Sequence, residues 1–272
     1  MSAYARPTRL DEALQLRARG STVLAGGTDR YASAPPAGDV IDITAIPALQ
    51  GISAARDHWR IGGAATWTAI VEAPLPAYFD ALKQAAREVG GMQIQNAGTV
   101  AGNLCNASPA ADGVPPLLAL GASVELASRR DTRVLRLEQF ILAPRMTALR
   151  DDEVLVAITV PKPAGPAYSR FLKLGARRYL LISIAMVAVA VELRGKAIGS
   201  ARIAVGGCSP VALRLPALEA ALSGRPLNPS VGEVPQAAHF AALSPIDDLR
   251  ASGEYRREAA LELVRRALRD LT

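Results

Sequence analysis

The sequence predicts an α+β fold in two domains, and two observations lead to this prediction. In the first 161 residues, short apolar strand patterns alternate with helical patterns. After the proline-rich segment PKPAGP at residues 161–166, three long strand patterns follow one another, and helical patterns come after them. We therefore expect one domain at residues 1–161 and a second at 166–272, in which the three strands form an antiparallel sheet accompanied by helices.

Helices and strands alternate through the first predicted domain. Thr8 is a candidate N-cap for the first helix, which Gly20 ends, and Thr66 is a candidate N-cap for the second. The strands are expected at residues 22–24, 40–43, 59–64, 123–127, 134–137 and 154–160. The helices are expected at residues 8–20, 66–71, 75–89 and 112–120.

The second predicted domain begins with strands and ends with helices. The strands are expected at residues 167–174, 182–193 and 197–205. The helices are expected at residues 215–222, 231–243 and 253–271. The last helix has apolar residues at helical spacing, which indicates a broad buried face.

Composition indicates an ordinary globular chain. Half of the 272 residues are hydrophobic, but only 4% are aromatic, so the core must consist mainly of Ala, Leu, Val and Ile. The net charge of +6 is spread along the chain and rises towards the C-terminus. Since no nucleic-acid motif accompanies this charge, a solvated basic face or docking onto an acidic partner subunit is favoured over nucleic-acid binding.

Cysteine use and hydropathy indicate the compartment. Cys105 and Cys208 are the only cysteines, so the chain cannot supply four thiolates to an iron–sulfur cluster or a zinc site. Charged residues interrupt the first 20 residues, where a signal peptide would be apolar. The most apolar run, at residues 180–191, is too short to span a bilayer. We expect a reduced, soluble, cytoplasmic protein without a membrane span.

Two glycine-rich segments carry the functional information. LAGGTD at residues 24–29 follows a predicted strand, and TVAGNLCNASPAAD at residues 99–112 combines small residues with amides and hydroxyls. Clustered glycine allows a backbone to come close to a ligand, and exposed backbone N–H groups bind anions. Ionised Asp112 can only accept hydrogen bonds, which suits sugar or ribityl hydroxyls and not phosphate. We interpret the segments as two loops that close on one phosphate-bearing cofactor.

Each candidate residue also has a simpler interpretation. The LAGGTD segment alone is more typical of a structural turn. Cys105 could be a redox thiol, although a small buried side chain is favoured, and Lys173 could be a strand residue with its ammonium group in water. His58 and His239 have no metal-ligand spacing, so a surface or packing role is favoured for both. The few acid–base groups suit a cofactor that performs the chemistry itself.

With these motifs, the sequence resembles the FAD-binding medium subunits of the molybdenum hydroxylases, which include xanthine dehydrogenase and carbon monoxide dehydrogenase. The resemblance extends to DDEVLVAITVP at residues 151–161, FLKLGARR at 171–178 and ASGEYRREAA at 251–260. It implies a two-lobed FAD-binding domain of the vanillyl-alcohol-oxidase (PCMH) type, with lobes at about 1–55 and 56–161. A C-terminal domain like that of the carbon monoxide dehydrogenase flavoprotein follows.

The resemblance also implies a cofactor site, partners and a reaction. No residue of this chain would be catalytic or bind metal. In such complexes a large molybdopterin-binding subunit hydroxylates the substrate, and a small subunit with two [2Fe–2S] clusters passes electrons to FAD. FAD then reduces NAD⁺, oxygen or another acceptor such as a quinone, in a dimer of heterotrimers. The residues implied to hold FAD are Val23, Leu24, Ala25, Gly26, Gly27, Thr28, Asp29, Arg30, Val89, Thr99, Val100, Ala101, Gly102, Asn103, Asp112, Leu155 and Lys173.

The sequence departs from the family pattern at Ala101, at Arg30, where an apolar residue is more usual, and in the short segment at residues 31–38. Ala101 stands where the family usually has a glycine, and if this position needs a positive φ, alanine costs about 1 kcal/mol. Two other interpretations also stay open, and Ala101 supports the second of them. The chain could be a self-sufficient flavoenzyme with its own substrate pocket, or a scaffold subunit that has lost FAD.

Overall fold

The structure is a computed structural model, and it describes residues 3–30, 38–176 and 182–272. Within these residues the α-helices are α1 Leu10–Arg17, α2 Trp67–Glu72, α3 Asp80–Glu88, α4 Met92–Ala97, α5 Val100–Asn106, α6 Val114–Ala119, α7 Leu137–Phe140, α8 Pro216–Leu222 and α9 Gly253–Arg269. The strands are β1 Tyr4–Ala5, β2 Thr22–Leu24, β3 Val40–Asp42, β4 Ile52–Ala54, β5 His58–Gly62, β6 Ser123–Ala127, β7 Thr132–Arg136, β8 Ile141–Ala143, β9 Met146–Thr147, β10 Val154–Pro161, β11 Ala167–Leu174, β12 Ala185–Arg194, β13 Ala197–Gly206 and β14 Leu213–Arg214.

The chain forms two compact units, and each unit is assembled from separate segments. The first unit comprises Met1–Ala73, Gly91–Ala107 and Ala122–Pro161. The second comprises Pro74–Gly90, Ser108–Gly121 and Lys162–Thr272. The second unit therefore contains α3 and α6, which precede its β-strands by many residues in the sequence.

The first unit contains a small parallel sheet with the strand order β1-β3-β2. Its strands are short and apolar, and α1 connects the two outer strands as parallel pairing requires. Ile41 of the central strand packs with Leu14 of α1 and with Leu49 in one buried cluster. This packing fixes the end of β2, from which the LAGGTD segment leads.

A five-stranded antiparallel sheet with the order β4-β5-β10-β6-β7 completes the principal sheets of the first unit. β10 is the central strand and is almost continuously apolar because it is buried on both faces. β7 lies at an edge, and its residues alternate between exposed and half-buried positions, as expected for a strand with one solvated face.

The second unit contains a four-stranded antiparallel sheet, β11-β12-β13-β14, with helices on both faces. Successive side chains of a strand point to opposite faces. On one face, Val187 and Val189 of β12 pack with α8 and α9. On the other face, Met186 and Ala188 pack with Ala85 of α3 and with α6.

Several predicted elements are confirmed, and some are confirmed to the residue. The strands at residues 22–24, 123–127 and 167–174 have the predicted bounds, and Thr66 caps α2 by accepting a hydrogen bond from the Ala69 N–H at 3.2 Å. The long C-terminal helix is α9. Two predicted segments lie partly outside the described residues. These are the apolar run at residues 180–191, at 180–181, and the motif FLKLGARR, at 177–178.

Other predicted details are wrong for identifiable reasons. The C-terminal sheet has a fourth strand, β14, whose two residues are too few to show a periodic pattern. The helix expected at 231–243 is replaced by two 3₁₀ turns, Pro229–Glu233 and Ala237–Phe240, because Pro235 cannot donate a helical hydrogen bond. Arg9, not Thr8, occupies the N-cap position of α1, without a side-chain cap. The helix expected from residue 75 begins as a 3₁₀ turn at Ala77–Phe79, which α3 continues.

No helix in the described part of the chain is both long enough and apolar enough to cross a membrane.

A buried carboxylate, Glu153, links separate segments of the first unit. Glu153 is 1% exposed, and Arg133 donates to its two oxygens at 2.6 and 2.8 Å. The Arg150 N–H donates at 2.8 Å, and Arg17 donates to the Glu153 carbonyl oxygen at 3.1 Å. Burial raises the pKa of Glu153, but these hydrogen bonds and the arginine charges outweigh it and hold the pKa below its usual 4.5.

Glu153→Gln is expected to lower the free energy of unfolding by about 3 kcal/mol at neutral pH, because it removes one partner of a buried ion pair. The stability that Glu153 contributes is present above its unfolded pKa and is lost as pH falls through the lower folded pKa. The variant should therefore lose less stability between about pH 5 and pH 3 than the wild type. Urea unfolding across this pH range measures both effects.

Glu125→Gln is the matched control, since Glu125 pairs with Arg60 at 3.2 Å in a more exposed position. This substitution should change stability by less than about 1 kcal/mol. Equal losses in the two variants would contradict the role assigned to Glu153.

Candidate functional site

In the first unit, the LAGGTD segment lies beside residues 97–106, which include the first half of the second glycine-rich segment. The Gly26 backbone is so close to Ala97 and Gly98 that a Cβ on Gly26 would collide with the Ala97 carbonyl oxygen and lie 2.8 Å from Gly98 Cα. Asn106 Nδ2 also donates to Asp29 Oδ2 at 2.7 Å. Glycine at position 26 is therefore required by contact between two backbones.

Half of the segment at residues 99–112, which was expected to be a loop, is helical, since α5 occupies Val100–Asn106. Thr99 begins α5 and accepts a hydrogen bond from the Gly102 N–H at 3.0 Å. A Cβ on Gly102 would lie 2.8 Å from Thr99 Oγ1, so glycine at this position preserves the cap. The loop prediction was wrong there because clustered small residues and amides obscured a short helix.

Ala101 is not strained. It lies in the first turn of α5 and is buried, whereas the only non-glycine residues with positive φ among those described are Ala107, at 46°, and Arg145, at 63°. Ala101 therefore does not have the positive φ that would have made alanine costly at this position. The strained alanine is Ala107, which ends α5 in the left-handed region.

Asn103 presents a buried acceptor on α5. Its Oδ1 atom is shielded from solvent and has no hydrogen-bond partner among the described residues, while its N–H donates to the Thr99 carbonyl oxygen at 3.1 Å. Buried polar atoms nearly always have a partner. An amide oxygen in this state can accept a hydrogen bond from a ligand hydroxyl or N–H group.

The other predicted residues of the first unit fall into two groups. Val23 and Ala25 pack against the core of the parallel sheet, and Leu24, Val100 and Leu155 are buried core side chains. The remaining residues lie along the LAGGTD segment. There, Gly27 has a φ of 70°, Thr28 is half-buried, and Asp29 and Arg30 are exposed. Leu155 lies on β10, a strand that contacts α5, and so it is linked to the glycine-rich segments only through packing.

A second polar cluster, the Asp112 cluster, lies in the second unit and consists of Asp112, Lys173 and Ser183. Lys173 Nζ donates to Asp112 Oδ2 at 2.7 Å, and Ser183 Oγ donates to Asp112 Oδ1 at 2.8 Å. Lys173 also donates to the carbonyl oxygen of Glu88 at 3.2 Å, so Val89 directly follows a residue that contacts the cluster. The alternative that the Lys173 ammonium group lies in water is wrong, because the side chain is 7% exposed.

Burial has the largest effect on the pKa of Asp112. It raises the pKa of Asp112 above the ordinary value, against the lowering effects of the Lys173 charge and of the hydrogen bonds from Lys173 and Ser183. The charge of Glu88 also raises this pKa. Because a carboxylate has about four acceptor positions, both oxygens can still accept a hydrogen bond from a ligand hydroxyl.

Sequence reasoning missed Ser183. It stands alone in the apolar segment ISIAMVAVA and belongs to no motif. The sequence could have indicated Ser183, because a hydroxyl inside an apolar strand pattern is buried and needs a hydrogen-bond partner.

The cysteines and histidines carry no metal or redox chemistry that the structure supports. Desolvation raises the pKa of the Cys105 thiol to about 12 and that of Cys208 to about 11, so both remain protonated thiols. His58 pairs with exposed Asp57, and His239 caps a 3₁₀ turn by accepting from the Gln236 N–H. Among the described residues, no group of three or more His, Cys, Asp or Glu side chains could hold a metal ion.

Comparison with known families identifies the chain. A sequence model described as the FAD binding domain in molybdopterin dehydrogenase matches residues 1–163. This chain belongs to that family of FAD-binding subunits. A second model, described as the CO dehydrogenase flavoprotein C-terminal domain, matches residues 170–271 of the same flavoprotein subunit.

Individual relatives agree with this assignment along the chain. The flavoprotein subunit is 32% identical to the nicotine 6-hydroxylase medium subunit of Paenarthrobacter nicotinovorans, with 97% of this chain and 95% of that protein covered. It is 31% identical to the xanthine dehydrogenase FAD-binding subunit of Escherichia coli O157:H7, with 94% and 90% covered. A structure of carbon monoxide dehydrogenase from Hydrogenophaga pseudoflava superposes with a TM-score of 0.88 at 28% identity and covers 98% of this chain and 96% of the other.

These matches confirm the predicted family, the α+β fold with an FAD-binding and a C-terminal part, and FAD as the cofactor. They also confirm that the protein is a subunit of an oxidoreductase of the molybdenum hydroxylase type.

Ala107→Gly is expected to stabilise the subunit by about 1 kcal/mol, because glycine adopts the left-handed conformation without the steric cost that alanine carries. Ala101→Gly is the matched control. It should destabilise the protein by about 1 kcal/mol, because glycine is a poorer helix former than alanine. Thermal unfolding of both variants gives the comparison, and stabilisation by Ala101→Gly would restore the strain hypothesis at that position.

Proposed function

We propose that this flavoprotein subunit receives electrons from iron–sulfur clusters on a partner subunit and passes them through FAD to a terminal acceptor. The observations that carry the proposal are the close backbone contact at Gly26 and, on α5, the unpartnered buried oxygen of Asn103. Family membership supports the same role. The scaffold alternative loses its main argument, since Ala101 lies in an unstrained helix.

The residues of the first unit fit the diphosphate and neighbouring atoms of FAD. We assign this contact to residues 23–30 and 99–103. Gly26 permits the close backbone contact with Ala97, and Gly27 adopts a positive φ that makes the turn tight. The Thr28 hydroxyl can donate to an oxygen of the ligand, and Asn103 Oδ1 can accept from a hydroxyl. The side chains of Leu24, Val100 and Leu155 are buried, and we propose that their packing holds these groups in position.

The Asp112 cluster fits hydroxyl groups of the cofactor. Asp112 would accept hydrogen bonds from ribityl or ribose hydroxyls, while Lys173 and Val89 would lie beside the flavin. Support comes from the fixed position of the carboxylate between Lys173 and Ser183, since a pre-oriented acceptor loses little entropy on binding.

FAD, when bound, supplies the electron-transfer chemistry of this subunit. The residues of the chain bind the cofactor, orient it and exclude water from the polar contacts. Neither cysteine contributes a thiolate, and none of the residues assigned to FAD is proposed to act as an acid or a base.

We further propose that the subunit assembles with a large molybdopterin-binding subunit and a small [2Fe–2S] subunit as a dimer of heterotrimers in the cytoplasm. The names of relatives as medium subunits support a multi-subunit complex. Since two cysteines cannot ligate a cluster on this chain, the clusters must lie on another subunit. The domain bounds 1–161 and 166–272 remain our proposal, supported by the family matches at 1–163 and 170–271.

The purified subunit is expected to be yellow, with absorption bands near about 370 and 450 nm that belong to bound flavin. Absorption spectroscopy, followed by denaturation and chromatography of the released cofactor, identifies FAD. A colourless protein that takes up no added FAD would contradict the proposal. Co-purification with molybdenum- and iron-containing partners separates an electron-transfer subunit from a self-sufficient flavoenzyme.

Asp112→Ala is expected to weaken FAD binding at least about tenfold, because the cofactor hydroxyls lose a charged acceptor. Titration of apo-protein with FAD, followed by flavin fluorescence, gives the dissociation constant. Glu219→Gln is the control, since Glu219 is a buried carboxylate of the second unit that bonds Arg214 and the Ile203 N–H. It should lower stability and leave the dissociation constant unchanged; unchanged binding in Asp112→Ala would remove Asp112 from the site.

A further inference from the structure

Ser183 has a buried hydroxyl group that contacts Asp112. It lies just before β12, is 3% exposed, and donates to Asp112 Oδ1 at 2.8 Å. Its neighbours Ile182, Ile184 and Ala185 are apolar, so the hydroxyl is not part of a general polar surface. A buried hydroxyl costs free energy unless it is bonded, and here Asp112 satisfies it.

The Asp112 carboxylate is held at both oxygens from two different elements. Lys173 on β11 binds Oδ2, and Ser183 binds Oδ1. The Lys173 ammonium group is itself anchored by the Glu88 carbonyl oxygen at the end of α3. Rotation of a carboxylate about its terminal bond is soft, so one donor alone would leave its plane poorly defined. Two donors on opposite oxygens define that plane.

We propose that Ser183 is a positioning residue that holds the Asp112 carboxylate in the orientation in which it accepts the hydroxyl groups of FAD. This inference rests on the proposed function, in which Asp112 binds those hydroxyls. Ser183 acts through Asp112 and needs no contact of its own with the cofactor.

The protonation of Asp112 provides a readout that a purely structural role would not change. Only the ionised carboxylate accepts at both oxygens, so FAD binding should weaken as pH falls through the pKa of Asp112. The hydrogen bond from Ser183 lowers this pKa, which burial and the Glu88 charge raise and the Lys173 charge lowers. Loss of the Ser183 hydroxyl should therefore raise the pKa of Asp112 and move the weakening to higher pH.

The experiment titrates FAD into apo-protein between pH 5 and pH 9 and follows flavin fluorescence. Ser183→Ala is expected to raise the dissociation constant about tenfold at neutral pH, because it removes a hydrogen bond to a charged group. Its binding should also decline at a higher pH than that of the wild type. Ser183→Thr keeps the hydroxyl and should restore both the affinity and the pH profile.

Ser169→Ala is the matched control in the same unit. Ser169 is 4% exposed, donates to the Tyr78 carbonyl oxygen at 2.6 Å and accepts from the Ala81 N–H at 2.9 Å, without contact to Asp112. This variant should lower the melting temperature and leave FAD affinity and its pH profile unchanged.

The outcomes separate the inference from the function on which it rests. Wild-type affinity and pH profile in Ser183→Ala would overturn the positioning role, as would an affinity loss with no pH change that Ser169→Ala shares. If Ser183→Ala does not fold, Ser183→Cys replaces it, since a thiol is a weak donor of similar size and should show the same shift. A wild-type protein that binds no FAD would instead contradict the proposed function.

Discussion

The contact of two backbones at Gly26 is the constraint on which the first unit depends. The LAGGTD segment and the turn between α4 and α5 approach so closely that Gly26 cannot carry a side chain. Hydrogen bonds from the Trp67 N–H to the Gly98 carbonyl oxygen and from the Val100 N–H to the Ala65 carbonyl oxygen, both 3.1 Å, join the start of α2 to the same turn. Main-chain contacts thus hold these segments together.

Much of this architecture could be predicted from residue patterns. β10, β11 and β13 are long strands, and their predicted bounds differ from the observed ones by at most one residue. The bounds of α5 could not be predicted in this way, because its glycine and two asparagines have low helix propensity and tertiary contacts decide their conformation. A periodic pattern also could not predict the helix interruption at Pro235 or the two-residue strand β14.

The candidate site was predictable to a similar degree. Its glycines and Asp112 were visible because their residue types form recognisable motifs. The partners of Asp112 were not, since Lys173 and Ser183 are 61 and 71 residues away in sequence and meet it only when β11 and β12 are placed. The same limit explains Ala101, whose backbone conformation depends on a helix that the sequence pattern did not reveal.

Two buried carboxylates show how one chemical group serves different ends. Glu153 has a guanidinium on both oxygens and a pKa below its usual value, which makes it a structural anchor. Asp112 has an ammonium group on one oxygen and a hydroxyl on the other, and its pKa is raised. The fewer donors around Asp112 leave acceptor capacity for a further partner.

The interleaving of the two units has a consequence for biosynthesis. α3 leaves the ribosome well before β11 and β12, yet the apolar face containing Ala81 and Ala85 packs on those strands. More than 70 residues separate α3 from β11. During translation, α3 therefore lacks its packing partner until those residues have been synthesised. A nascent chain halted at residue 161 would thus leave this apolar face uncovered. The second unit can therefore complete its core only after β11 and β12 have been synthesised.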